Sequence, residues 1–434
     1  MALEGSPGHC SCGGMFTYNT MQSFIAACGM EPLHMVSPAS EDRRRLEEFP
    51  TQLLDALQVL AERDIRPRDI VTPASLRNAM LAAIAMGGST NVVLHAPELA
   101  RAAGLDFWRE VITQEEFNRV SRALPVLVNA RPFGRSSMVD IDAWGGLPTI
   151  VGELLGAGLL DGDCITCTGE TLAGQVARLD PPAPDGAVIH PLSAPFKRTG
   201  GLRLLRGNLA PDGGAVIKLA GVEGGMTDGR FTGRACGCGS EAALIGALAS
   251  APERFEDRDM VVIRYEGPRG APGMPELLDP TSRITALCRR RGITIALMTD
   301  ARFSGGSVGL VIGHVSPEAA MGGPIALIQD GDTIIVDVNH DTLDCAELHN
   351  TATLAARRAR WQAEAERNGG THPLVRPAGT RLLRRMRACA LPPLQRAGLS
   401  EAGVRTGLKW GRPHVLHGLI ANMAAAPPDG RDGP

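Results

Sequence analysis

The spacing of apolar residues over the first 180 positions predicts helices. The helix predicted over 51–64 places five apolar residues on one face: Leu53, Leu54, Leu57, Leu60 and Ala61. An Ala- and Met-rich helix over 74–86 ends at a Gly-Gly pair, and a third helix follows with Ser89 or Thr90 as its N-cap. The first part of the chain is therefore expected to be mainly helical, with a few short strands.

The pattern changes after a proline-rich segment. Residues 181–188 contain three prolines and a glycine, as linkers do. Beyond them, five β-branched runs bounded by Gly, Asp or Pro predict strands: 214–221, 260–267, 292–300, 309–316 and 332–338. Intervening helices are predicted over 240–250 and after Thr281, and a charged helix over 343–368.

The predicted fold class is therefore α/β, in two domains. A mainly helical α/β domain with a cysteine loop covers 1–180, the linker is 181–188, and a β-rich, barrel-like domain with helices covers 189–368. Residues 369–434 are rich in Arg, Pro and Ala and have weak periodicity, so we expect a divergent, partly disordered tail.

Composition excludes several classes of protein. The chain has 434 residues, is 44% hydrophobic and carries a net charge of −3, which favours neither nucleic-acid nor membrane binding. It contains no apolar run near the ~20 residues of a membrane helix and no visible signal peptide. Its 10 cysteines are too dilute for a disulfide scaffold. We expect a cytoplasmic protein.

Cys12 is the first candidate for chemistry, in the glycine-rich stretch "GHCSCGGMFTYNTM". Glycines beside a cysteine let the backbone wrap around an inorganic cluster and direct N–H groups at its sulfur atoms. An ordinary glycine loop with incidental thiols fits the spacing equally well. Cys164 and Cys167 are expected to be structural, and Cys236 and Cys238 to lie in a flexible loop without a specific metal.

Glu266 is the second candidate, because it ends a predicted strand and enters the Gly/Pro-rich loop of "RYEGPRGAPGMPELL". Mg²⁺ prefers carboxylate oxygens that are held rigidly in this way. A surface glutamate in a turn is the alternative interpretation.

Ser304 is the third candidate, in a turn before Gly305 and Gly306 that would expose its hydroxyl. A serine is a poor base at its ordinary pKa, so this one would need a cation beside it. Arg302 stands two positions before it, so the turn is not a G-x-S-x-G hydrolase elbow. Alternatively, Ser304 or Ser307 only caps backbone amides. His95 is expected to be a packed or pocket-lining histidine and not a ligand.

Six segments, taken in order, resemble the dihydroxy-acid dehydratase family, which also contains phosphogluconate and aldonic acid dehydratases. They are "SCGGMFTYNTM", "GGSTNVVLH", "GLPTIVGELL", "TGGLRLLRGNLAPDGGAVIKLAG", "VIRYEGPRGAPGMPELL" and "DARFSGGSVGLVIGHVSPEAAMGGPIALIQDGDTI". The first segment looks closer to the branched-chain branch than to the sugar-acid branches, although Tyr18 replaces the small residue usual there.

The resemblance implies an iron–sulfur cluster, [2Fe–2S] or [4Fe–4S], held by three cysteines, with Mg²⁺ beside it. Cys12 matches the third cluster cysteine, Glu266 a Mg²⁺ ligand and Ser304 the catalytic base, with Ser307 and His95 as substrate-binding candidates. The implied reaction dehydrates a 2,3-dihydroxy carboxylic acid to a 2-keto acid in branched-chain amino-acid biosynthesis. A swivelling second domain and a homodimer are also implied.

Family members also carry two more cluster cysteines, a Mg²⁺-binding acidic residue and an Asp-Lys pair with a carbamylated lysine, all upstream of the matched part. Here only eleven residues precede Cys12, and no "CDK"-like triplet occurs. We therefore expect a truncated N-terminal domain. Three hypotheses remain: a truncated dehydratase, a cluster-free paralogue that binds or assembles with a full-length subunit, or a truncated sugar-acid dehydratase.

Overall fold

The computed structural model describes residues 12–39, 41–211, 213–219 and 225–390. Helices dominate its first part, with a short 3₁₀ helix at Leu33–Met35 and a π-helix at Phe107–Val111. The α-helices are α1 (Thr17–Ala27), α2 (Arg44–Glu47), α3 (Phe49–Glu62), α4 (Pro67–Ile70), α5 (Pro73–Ala85), α6 (Val92–Ala102), α7 (Gln114–Ala123), α8 (Met138–Ala143), α9 (Gly146–Gly156) and α10 (Leu172–Leu179).

The second part is built on one eight-stranded sheet. Its strands are β1 (Leu202–Leu205), β2 (Gly214–Lys218), β3 (Arg230–Cys238), β4 (Asp259–Ile263), β5 (Ala296–Thr299), β6 (Val311–Ser316), β7 (Thr333–Asp337) and β8 (Thr342–Cys345). They lie in the order β1-β2-β6-β5-β4-β3-β7-β8. The four central strands are parallel and the outer pairs antiparallel.

The two edges of this sheet meet, which gives the barrel-like shape that the sequence predicts. Arg206, just after β1, forms a bridge with Thr342 at the start of β8. The Arg206 amide donates to the Asp341 carbonyl at 2.8 Å, and the Leu343 amide donates to the Arg206 carbonyl at 2.7 Å. The sheet is thus nearly closed, and one apolar core fills its interior.

Helices flank the sheet and continue beyond it. They are α11 (Glu241–Ser250), α12 (Leu278–Arg291), α13 (Thr351–Arg367) and α14 (Arg381–Cys389), with 3₁₀ turns at Pro252–Arg254, Ala319–Met321, Pro324–Leu327 and Ala346–His349. α11 and α12 cover one outer face of the sheet through a separate apolar cluster.

Helix α5 is the central helix of the first part, and its sequence explains its bounds. Thr72 caps it by accepting a hydrogen bond from the Ser75 amide at 3.2 Å, and Pro73 occupies its first turn. Gly87 follows the helix with a φ of +68°, which L side chains rarely adopt. The next helix begins at Val92, so the prediction of Ser89 or Thr90 as its N-cap is wrong.

Helix α7 joins the first part to the sheet. The Asn118 side chain accepts a hydrogen bond from the Leu204 amide at 2.8 Å and donates one to the Leu204 carbonyl at 2.8 Å. Ser121 donates to the Leu202 carbonyl at 2.5 Å. These side chains form hydrogen bonds with the backbone of β1 as a neighbouring strand would. The first part is therefore attached to the edge of the barrel.

Two further sequence predictions differ from the structure. The segment predicted as one helix over 343–368 begins with β8 and a 3₁₀ turn, because Leu343 and Cys345 are buried in the sheet and only later residues continue as α13. Cys236 and Cys238 lie buried in β3 and not in a flexible loop. Leu53, Leu54 and Leu57 of α3 are exposed, at 44%, 62% and 62% of their surface.

Within the described residues, no helix is both long and apolar enough to span a membrane.

Candidate functional site

The Cys12 loop and the Ser304 turn are packed against each other. The Gly305 amide donates to Thr17 Oγ1 at 3.3 Å. A Cβ atom on Gly305 would lie 2.6 Å from the Thr17 nitrogen and 2.7 Å from the Cα of Phe16. Glycine is therefore needed at 305 for the two backbones to approach this closely. The fold thus brings together two of the predicted site segments.

Asn19 fixes the cysteine loop from inside the protein. Its side-chain amide donates to the Cys12 carbonyl at 2.9 Å and to the Gly14 carbonyl at 2.6 Å. The Met15 amide donates to the Arg131 carbonyl at 2.8 Å, so a second loop supports the same backbone. Cys12 itself is partly exposed.

A cluster of Thr17, Asn91 and Glu276 lies beside these loops, and the sequence interpretation did not single it out. Thr17 Oγ1 donates to Glu276 Oε1 at 2.5 Å, and the side-chain amide of Asn91 donates to the same oxygen at 3.0 Å. Asn91 also donates to the Phe303 carbonyl at 3.1 Å, directly before the serine turn. The only signal in the sequence is that Glu276 ends the Gly/Pro-rich stretch that also contains Glu266.

Ser304 is half-buried in its turn, and its hydroxyl is held by the backbone. The Gly306 amide points at Ser304 Oγ at 3.3 Å, and the Ser307 amide donates to the Ser304 carbonyl at 3.0 Å. Ser307 is only 5% exposed, and its hydroxyl has no hydrogen-bond partner among the described residues. Ser304 Oγ therefore accepts a hydrogen bond from a backbone amide, as the capping interpretation requires. The Ser304 side chain nevertheless remains partly accessible.

Lys218, at the end of β2, lies behind the serine turn. Its side chain is 3% exposed, and its Nζ donates to the Gly305 carbonyl at 3.3 Å. The same ammonium lies 4.4 Å from the centroid of the Phe133 ring. Burial, together with the smaller effect of the positive charge of Lys197, lowers the pKa of Lys218 to about 7.

Glu266 is buried and bound to an arginine. Its side chain is 1% exposed, and Arg376 Nη2 lies 2.9 Å from Oε1 and 3.2 Å from Oε2. The Glu241 amide donates to Oε1 at 3.0 Å. Asp300 fixes the backbone beneath it by accepting the amides of Tyr265 at 3.0 Å and Glu266 at 3.1 Å. Burial raises the pKa of Asp300 to about 6.

His95 lies near Arg302 and Glu276, at the edge of the same cluster. Burial lowers its pKa, and the nearby Arg302 adds to this effect. His314 lies close by and is fully buried, with neither ring nitrogen in a hydrogen bond among the described residues. Burial lowers the pKa of His314 to about 3, so its ring is neutral.

The donors among the described residues do not fit the cofactors that the resemblance implies. Over the residues that the structure describes, one group of three His, Cys, Asp or Glu side chains has ligand atoms close together, within 4.8 Å: Asp332, Cys345 and Glu347. Arg357 already pairs with Asp332 there, at 2.5 Å and 2.9 Å. Neither Cys12 nor Glu266 belongs to such a group. One thiol does not hold an iron–sulfur cluster, and a guanidinium takes the cation position at Glu266. Cys10 lies outside the described residues.

Comparison with known proteins identifies the family. Residues 1–175 match the family model "Dihydroxy-acid/6-phosphogluconate dehydratase N-terminal", and residues 187–388 match the corresponding "C-terminal" model. The chain is 46% identical over 352 residues to a dihydroxy-acid dehydratase of Acidothermus cellulolyticus, covering 81% of this chain and 60% of that protein. It is 44% identical to that of Leifsonia xyli, covering 82% and 60%, and 44% identical to the chloroplastic enzyme of Arabidopsis thaliana, covering 83% and 56%.

The chain thus spans 60% or less of the length of these three relatives. The two family models nevertheless match nearly all of it up to residue 388. The chain belongs to the dihydroxy-acid/6-phosphogluconate dehydratase family.

Proposed function

We propose that the chain is a hydro-lyase that dehydrates a 2,3-dihydroxy carboxylic acid to a 2-keto acid, as in branched-chain amino-acid biosynthesis. The observation that carries this proposal is the packing of the Ser304 turn on the Cys12 loop through Gly305. These are the segments in which the resemblance puts the catalytic base and a cluster ligand. The relatives that cover most of the chain bear the name dihydroxy-acid dehydratase.

Ser304 has the role of the base in this proposal. Its Oγ, as the alkoxide, takes the proton from C2 of the substrate, the C3 hydroxyl leaves as hydroxide and becomes water by taking that proton from Ser304, and the resulting enol tautomerises to the keto acid. The Gly306 N–H, 3.3 Å from Oγ, stabilises negative charge on that oxygen. Ser307 and His95 are proposed to contact the substrate near it.

No step of this proposal passes through a cluster or Mg²⁺, because the described donors fit neither group. The resemblance implies both groups for the family. The cluster would be the Lewis acid at the departing hydroxyl, and Mg²⁺ would be the cation at the substrate carboxylate. The residues that would complete those sites are not among the described ones. The chain's own part is therefore limited here to binding the substrate and removing the proton.

The test is keto-acid formation from 2,3-dihydroxyisovalerate, trapped with dinitrophenylhydrazine under anaerobic conditions. It is run on the chain alone and on a fusion that adds the segments of the Acidothermus relative not covered by the match. Ser304→Ala should abolish turnover with little loss of stability, because only a hydroxyl in a turn is removed. Ser282→Ala, on the exposed side of α12, is the matched control and should keep full activity.

Each outcome discriminates among the hypotheses. Turnover of an aldonic acid but not of 2,3-dihydroxyisovalerate assigns the chain to the sugar-acid branch. Near-normal turnover by the Ser304→Ala fusion shows that Ser304 is not the base and that the Ser304 turn has only a structural role. Absence of keto acid from both the chain and the fusion overturns the proposal.

A second candidate function is a cluster-free paralogue that works as a binding or assembly protein. The Glu266–Arg376 pair favours it, since it occupies a carboxylate that the resemblance gives to Mg²⁺. Co-purification with the full-length Acidothermus relative, without turnover by the fusion, supports this candidate.

We also propose a homodimer, since three leucines of α3 are exposed on one side of the first part: Leu53, Leu54 and Leu57. The cytoplasm is the proposed compartment, because a reducing environment suits a chain whose described cysteines form no disulfide.

A further inference from the structure

We propose that Lys218 is a positioning residue that prepares Ser304 to act as a base, by holding the peptide unit between Gly305 and Gly306. The inference rests on the role proposed above for Ser304.

One peptide group connects the two side chains. Lys218 Nζ donates to the carbonyl oxygen of Gly305 at 3.3 Å. The nitrogen of the same peptide unit belongs to Gly306, and its N–H is directed at Ser304 Oγ at 3.3 Å. The peptide unit is planar, so fixing its oxygen also fixes the direction of its N–H. Two glycines flank this unit, and without Lys218 its orientation would be weakly determined.

The charge of Lys218 is costly where it lies. The side chain is 3% exposed and has no carboxylate partner among the described residues. Its contacts are the Gly305 carbonyl and the face of the Phe133 ring, and the nearest charge that affects it is the like charge of Lys197. Burying an ammonium without a counter-ion destabilises a protein, and a methionine of similar length would avoid that cost. A buried cation without a counter-ion, beside a candidate active site, points to a functional role.

The physical effect follows from the electrostatics of the peptide group. A positive charge at the carbonyl oxygen withdraws electrons from the amide and makes its N–H a stronger donor. A fixed donor aimed at a developing oxyanion lowers the energy of that anion. Lys218 therefore makes it easier for Ser304 to lose its proton. The cation that the sequence requires near Ser304 lies one peptide group away from it.

The experiment measures the reactivity of Ser304 without using the dehydration reaction. Diisopropyl fluorophosphate is added to the full chain, and modification is followed by intact mass and peptide mapping. In this labelling, Ser304 Oγ bonds to phosphorus, the P–F bond breaks, fluoride leaves, and the serine proton passes to solvent. We expect labelling at Ser304 in the wild type and none there in Ser304→Ala.

Lys218→Met should slow labelling about tenfold, which is less than the loss on removing a direct oxyanion donor. The melting temperature of this variant should be equal to or above that of the wild type, since a buried charge is removed. A merely structural lysine would give the opposite combination, with lower stability and unchanged labelling. The ratio of the wild-type labelling rate to that of Lys218→Met should be largest at pH 6 and should decrease above pH 7, where Lys218 loses its proton. Lys197 is the other charged group that acts on Lys218, so Lys197→Met is the matched control and should retain most of the labelling rate.

Equal labelling rates for Lys218→Met and wild type at pH 6 overturn the inference. Absence of labelling at Ser304 in the wild type also overturns it, because Ser304 is then not activated. Labelling that depends on Lys218, combined with no keto acid in the dehydration assay, keeps this inference and rejects the proposed function.

Discussion

The carboxylate of Glu266 and the guanidinium of Arg376 form an ion pair at 2.9 Å, in which the carboxylate is buried and the arginine is about half exposed. Arg376 comes from the segment that follows α13. Arg387 of α14 donates to the Arg376 carbonyl and also to the Arg269 carbonyl, at 2.6 Å, in the loop that follows Glu266. The end of the described chain thus closes over the loop that carries Glu266, and an arginine neutralises the carboxylate that the resemblance assigns to Mg²⁺.

Arg376→Gln should destabilise the protein, because among the described residues it leaves the buried Glu266 carboxylate with the Glu241 amide as its remaining hydrogen-bond donor. We expect a loss of about 1–3 kcal/mol in the free energy of unfolding, measured by urea denaturation. The double variant Glu266→Gln/Arg376→Gln should lose less than the sum of the two single variants. Arg360→Gln, on the exposed face of α13, is the control. Additive losses would show that the pair does not couple.

The purified chain should be colourless and low in iron. Cys12 is not part of any group of three metal-ligating side chains among the described residues, and one thiolate gives poor support for a cluster. Iron and sulfide are measured after anaerobic reconstitution. Stoichiometric iron and sulfide that are lost in Cys12→Ala would contradict this prediction. The further cluster ligands would then lie outside the described residues, and Cys10 would be the first to test.

Stability should depend on His314 at mildly acidic pH. Its pKa is about 3 in the folded protein against an ordinary value of 6.5, so below pH 6.5 the unfolded chain binds a proton that the folded chain does not. His314 therefore lowers stability as the pH falls, by about 2 kcal/mol between pH 7 and pH 5. Asp300 and Glu318 act in the opposite direction, since burial raises the pKa of the first to about 6 and of the second to about 7.

The measurement compares wild type with His314→Asn by urea denaturation at both pH values. Asparagine tolerates the φ of +59° at this position and does not titrate. The variant should become more stable relative to wild type by about 2 kcal/mol when the pH is lowered from 7 to 5. An unchanged difference would show that water or a proton reaches the ring in the folded state.

Local signals singled out the two glycine-rich segments that the fold brings together, because the glycines themselves are visible in the sequence. Gly305 has to be glycine for the serine turn to touch the Cys12 loop, and both segments were recognised from their own residues. Strand β2, at 214–218, was also predicted, as a strand over 214–221, since β-branched runs bounded by glycine carry a strong local signal.

The partners of these segments were not predictable in the same way. In the sequence, Lys218 is only the polar end of a predicted strand. Its contact with Gly305 depends on the register of β2 against β6, which places Lys218 behind the Ser304 turn. Arg376 lies in a segment of weak periodicity, so nothing local indicates that it pairs with Glu266. Helix α3 shows another limit of local signals. Its leucines have helical spacing and share a face, but periodicity does not say whether another surface covers that face, and here it is exposed.

That exposed face leads to the last prediction. Leu54 and Leu57 each keep 62% of their surface exposed, and Leu53 lies beside them on α3. We expect this face to contact a second copy of the chain, since a contiguous patch of leucines in water favours association. The variant Leu54→Glu/Leu57→Glu should weaken the dimer about 100-fold, which corresponds to about 3 kcal/mol of lost apolar burial and added charge. Light scattering over a concentration series measures the effect, and Leu159→Glu, at an exposed position after α9, is the matched control. A wild-type chain that is monomeric at all concentrations, or a double variant that dimerises as strongly as the wild type, would rule out this face as the interface.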